Sequence, residues 1–63
     1  MKAKRIMTPE DIVCARKHVR NHTDGSMTVY ANYVDGMEVW HFNPAKFAGG
    51  RLMRRFIGEQ EVY

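Results

Sequence analysis

Cys14, His18 and His22 stand four residues apart and carry the side chains of this sequence best suited to bond-making chemistry. On a helix that spacing lines them along one side. A thiolate with two imidazoles suits zinc, and His41 would add a fourth ligand. Against a metal, the chain has no Cys-x-x-Cys pair and no second cysteine, which the common zinc-site spacings contain. No metal and no cofactor are therefore expected. The plainer reading is a half-buried cysteine beside surface histidines at the C-terminal end of a helix, where a cationic imidazole meets the helix dipole favourably. Cys14 and His18 also suit a nucleophile–base pair, but such a pair needs an oxyanion site and an enclosing cleft. A chain of 63 residues has little material for one, so no enzyme is expected.

The cations point to a different chemistry. Arg51, Arg54 and Arg55, with Lys46 close by, have the spacing to meet successive phosphates from one side of a helix, and Arg16, Lys17 and Arg20 form a second set. Gly49-Gly50 would present backbone N–H groups to an anion at the start of the second helix. Lys2, Lys4 and Arg5 make a basic arm of the kind that enters a minor groove or follows a backbone. Net charge is only +3, but its layout is uneven. Residues 1–22 carry a net +4, residues 23–43 a net −3, residues 44–58 a net +4 and residues 59–63 a net −2. Two basic segments bracket an acidic one, which suits an anionic partner. The plainer alternative is the solvated faces of two amphipathic helices.

The elements that would position these groups follow from local signals. Thr8 is a good N-cap, Pro9 suits the first helical position and Asp11 lies three residues beyond the cap, with Met7 and Ile12 placed as a hydrophobic staple. A helix is predicted over roughly residues 8–22, burying a stripe of Ile12, Ala15 and Val19. Thr23-Asp24-Gly25-Ser26 breaks it. The period then changes to two: residues 27–34 and 37–42 read as strands joined by an Asp35-Gly36 turn. That turn pairs Val34 with Met37, Ala31 with Trp40 and Val29 with Phe42. Met27, Val29, Ala31, Tyr33, Trp40 and Phe42 then share the core face. On the other face Tyr30 lies opposite His41, with Asn32 and Val39 beside them. These four could stack unpaired bases, form a dry protein interface or be buried under the arm or the Gly-rich turn. Asn43-Pro44 starts a further turn, Gly49-Gly50 interrupts it, and a second helix is predicted over about residues 51–57, with Leu52, Met53, Phe56 and Ile57 inward. Gly58 ends it, and residues 59–63 form a tail.

The expected architecture is thus a single α+β domain over residues 1–63, in the order α-β-β-α, with a two-stranded hairpin packed on two short helices. Residues 1–7 supply a basic arm, and an extra edge strand can come from residues 1–7 or from residues 59–63. No run of about 18 apolar residues exists and no apolar stretch follows the basic N-terminus, so neither a membrane span nor a secretory signal is expected. The lone cysteine suits a reducing, cytoplasmic setting. A core this small with no disulfide favours a homodimer or larger complex as the working state. The function expected is a small nucleic-acid-associated protein that contacts phosphates. The second reading is a protein-binding modulator, such as a phage- or bacterium-encoded inhibitor or adaptor, docking through the hairpin face or edge.

Overall fold

In a computed structural model, which describes residues 6–46 and 48–63, the predicted helices are absent and the chain is a sheet. Five strands, β1 (Arg16–Asn21), β2 (Met27–Tyr33), β3 (Gly36–Phe42), β4 (Gly50–Ile57) and β5 (Gln60–Glu61), form one antiparallel meander in chain order. The helical content of the described residues is a single 3-10 turn, Pro9–Asp11. The α+β expectation is therefore corrected to all-β. Lys2, Lys4 and Arg5 of the basic arm, and Phe47, lie outside the described residues. No helix of the described residues is long and apolar enough to cross a membrane.

The first helix starts as its signals dictate and then fails. Asp11 Oδ2 accepts from the Thr8 N–H at 2.7 Å, and the Ile12 N–H closes the turn on the Pro9 carbonyl at 3.2 Å. Beyond it, Val13, His18, Val19, Asn21 and His22 are all weak helix formers. A helix this short gains little by itself in water, whereas pairing with β2 satisfies the same backbone and gives β2 a neighbour on each side. The second helix fails for a different reason. Partners along β3 jump from Arg54 opposite Val39 to Leu52 opposite Trp40, so Met53 is an extra residue in β4. The bulge brings Arg51 and Arg54, three apart, onto one face, and a three-residue recurrence is also what a helix produces.

The turns are read from the same pairing. Thr23, Asp24 and Gly25 close β1 onto β2, with Gly25 at φ 89° and Asp24 Oδ1 accepting from the Ser26 N–H at 3.0 Å. The Ser26 hydroxyl and N–H hold the Asp24 carboxyl below its usual value. The β2–β3 loop is Val34-Asp35, because Tyr33 pairs with Gly36, and not Asp35-Gly36 as expected. Gly36 belongs to β3, where a Cβ would collide with the Phe56 carbonyl oxygen of β4. The loop is further fixed by the Gly58 N–H, which donates to the Asp35 carbonyl at 2.6 Å. Relative to expectation the hairpin pairing moves by two residues: Val29 faces Trp40, Ala31 faces Glu38 and Tyr30 faces Val39. A shift of two preserves which face each side chain takes, so the predicted core face survives its wrong register. At the other end, Gly58 at φ 62° opens a two-residue loop and residues 60 and 61 pair with β4, so the C-terminal residues form the extra edge strand that was one of their two expected states rather than only a tail.

The core lies on one side of the sheet. Val29 and Ala31 are 0% exposed, and with Phe42 and Ile12 they form the buried cluster. Met7, Cys14, Met27, Tyr33 and Trp40 pack against it. Ile12, Met7 and Cys14 come from the segment before β1, which folds over this face. The Phe42 ring occupies the space a Cβ on its cross-strand partner Gly50 would need. The molecule measures 36 × 35 × 20 Å, and its thin dimension fits one sheet and one covering layer at about 10 Å per layer. Replacing Gly36 with alanine tests the β3–β4 approach. Thermal melting is expected to show a loss of about 1–3 kcal/mol, the usual effect of overpacking. An unchanged melting temperature would mean that β4 does not run against Gly36.

Candidate nucleic-acid interface

Residues directly opposite in an antiparallel pair share a face, so the pairings resolve the side of the sheet opposite the buried cluster, uncovered among the described residues, into three rows. Arg20, Thr28, His41 and Arg51 form the first, running from β1 to β4. His18, Tyr30, Val39 and Arg54 form the second. Arg16, Asn32, Met37, Phe56 and Glu61 form the third. Side-chain contacts agree with this reading. The His18 and Tyr30 rings lie 6.1 Å apart, His22 and His41 also 6.1 Å apart, and His22 Nε2 is 2.7 Å from Thr28 Oγ1. On the central strands Tyr30, Asn32, Met37, Val39 and His41 are half-buried, in contrast with the fully buried Val29 and Ala31 of the other face.

The rows have a shared order of chemistry. Cations stand at both sides, with Arg16 and Arg20 on β1 and Arg51 and Arg54 on β4, all exposed. Aromatic, apolar and amide groups of β2 and β3 lie between. Three strand spacings separate the two cationic borders, about 14 Å. The acid on this face is Glu61 of β5, which grips Arg54 through two hydrogen bonds of 2.9 Å. That pairing holds the Glu61 carboxyl below its usual value and raises the Arg54 guanidinium. Arg54 also lies over the Phe56 ring, 5.4 Å from its centre, which leaves Tyr30 as the more central ring.

Two of the seven expected phosphate ligands fall on the opposite side. Lys17 pairs with buried Ala31 and sends Nζ to the Pro9 carbonyl at 2.7 Å. Arg55 pairs with Glu38, and its Nε lies 3.6 Å from Glu38 Oε2. Lys46 is exposed in the turn after β3, at the end of the sheet where Arg20, His41 and Arg51 stand. The expected interaction face of Tyr30, Asn32, Val39 and His41 is assembled as a group, although Thr28 rather than Tyr30 lies opposite His41. Met37 shares it, as the alternation of the hairpin requires, while Phe56 and His18 join it unforeseen, since only a four-strand alignment brings them there. The extended chain separates the helical metal set: Cys14 packs on the core side while His18 faces the other. Among the described residues no group of three His, Cys, Asp or Glu is arranged to hold a metal ion.

On the covered face polar groups are used internally. Glu38 Oε1 accepts from the Tyr33 hydroxyl at 2.7 Å and from Trp40 Nε1 at 3.0 Å, beside Arg55. Burial, then the hydrogen bond to Glu38 and its charge, push the Tyr33 hydroxyl up to about 12. A groove on the N-terminal segment is lined by Met7, Glu10, Asp11 and Val13, and its two carboxylates do not suit an anion. Comparison with protein-family models, curated proteins and solved structures finds no match, so the reading of this surface rests on its own geometry. The Tyr33 shift has a testable sign. Its protonated form is favoured by folding, so the contribution is full below the ordinary tyrosine value of 10.0 and is lost as pH rises toward about 12. Denaturation of Tyr33→Phe beside the unaltered protein is expected to show a stability gap constant below that lower value and shrinking above it. A gap that stays constant through this window would place Tyr33 outside the Glu38 network.

Proposed function

We propose that this protein binds nucleic acid through the uncovered face of its sheet, with phosphates as the main source of affinity. The observation that carries the reading is the row pattern: arginines on β1 and β4 border one face whose strand residues include a single carboxylate, Glu61. Arg16, Arg20, Arg51 and Arg54 supply the electrostatics, with Lys46 at the rim. Lys17 and Arg55 play no part, since each is engaged on the core side. A net charge of +3 understates this face, because the remaining carboxylates lie in turns, in the N-terminal segment or on the other face. The reading that this is a protein-binding modulator has one observation in its favour. Among the described residues β1 pairs on one side only, with β2, and a strand edge can accept an added strand. That edge is dense in cations, however, the composition that blunts strand addition.

The test is fluorescence anisotropy with labelled DNA and RNA from low to physiological salt. Changing Arg16, Arg20, Arg51 and Arg54 together to Gln is expected to weaken binding similarly across unrelated sequences. Each lost contact should flatten the salt slope by roughly 0.9 on duplex DNA or 0.7 on single strands. Because Glu61 competes for Arg54, Glu61→Gln is expected to tighten binding by about 2- to 5-fold, the scale of an exposed ion pair. No binding to either polymer at low salt, where attraction is strongest, would overturn the proposal and leave the protein-partner reading first.

A further inference from the structure

Resting on that reading, we infer that the ligand is single-stranded polynucleotide, with an unpaired base stacked on Tyr30. The first ground is shape. The major groove of duplex DNA, about 12 Å wide, admits a helix or a two-stranded ribbon. The face here spans four strands, from Arg20 to Arg51 in one row, and is too broad to enter. A duplex would meet it only through phosphates at the borders.

The second ground is what lies between those borders. Tyr30, Val39 and Met37 present a half-buried aromatic and apolar strip in the middle of the face, with Thr28, Asn32 and His41 as hydrogen-bonding groups around it. A duplex keeps the faces of its bases stacked inside and offers this strip only hydrated groove edges. An unpaired base has a free π-face and free Watson–Crick edges, so it covers the ring and meets the neighbouring amide and hydroxyl. The backbone then runs over one cationic border. Tyr30 is the platform because it is flanked in its row by His18 and Val39, whereas the Phe56 ring lies beneath the Arg54 guanidinium.

The experiment compares one sequence as single-stranded DNA, as single-stranded RNA and as DNA duplex, at a single low salt concentration. Either single strand is expected to bind at least 10-fold tighter than the duplex. Tyr30→Leu should weaken the preferred single strand by about 5- to 100-fold, the range for loss of one stacked base. It should leave duplex binding unchanged, and the duplex arm thus shows that the variant folds. Tyr30→Phe, which keeps the ring, should stay within about 2-fold of the unaltered protein, since stacking needs only the π-face. Duplex binding as tight as single-strand binding, or a Tyr30→Leu protein with unchanged single-strand affinity, would overturn the inference while leaving the proposed function standing. Absence of binding to all three would overturn both.

Discussion

A single antiparallel sheet has two faces, and among the described residues an apolar segment covers one of them. That imbalance governs the rest of the molecule. The residues before β1 bring Met7, Ile12 and Cys14 onto the side of Val29, Ala31 and Phe42, and that side becomes dry. The strands cannot then bury their other side chains, so the second face must tolerate water. It does so with arginine and histidine at its borders and with a central strip that is neither fully polar nor fully apolar. Had β2 and β3 alternated strictly between apolar and polar residues, the second face would be an ordinary solvated surface.

The β4 bulge decides which charges reach which face. Without Met53 as an extra residue, Arg51 and Arg54 would point to opposite sides, and one border of the uncovered face would carry half its charge. With it, Arg51 and Arg54 share that face and Arg55 turns inward to Glu38. Glu38 is then held by three neighbours, Tyr33, Trp40 and Arg55. A carboxylate on the core side is tolerated only with such partners. The close approach of β4 that this network needs is the one that excludes a side chain at Gly36.

Part of this was legible in the residues. Alternation in residues 27–42 identified two strands and their core face, and the faces survived because a register error of two leaves side-chain direction unchanged. The mixed character of the second face was itself a signal that more sheet lay on either side. The Thr8 cap is legible in the sequence, but not that a single 3-10 turn follows it instead of a helix, since local capping is the same for one turn as for four. β1 could not be recognised by period, because all its residues are exposed and Val19 is the one apolar side chain among its six. In β4 the bulge converted a strand's alternation into a helix-like spacing of arginines. The cations and the Tyr30 group were therefore each identified, while their union on one face depended on pairings between segments far apart in the chain.

An amide NMR titration with a short single-stranded oligonucleotide tests directly whether the uncovered face is the surface that meets the ligand. Shifts are expected to concentrate along β1 to β4, at Arg16, His18, Arg20, Tyr30, His41 and Arg51. The amides of Ile12, Val13 and Cys14, beneath the opposite face, should stay nearly still. Shifts confined to the N-terminal segment and the 43–49 turn, with β1 and β2 unmoved, would contradict it.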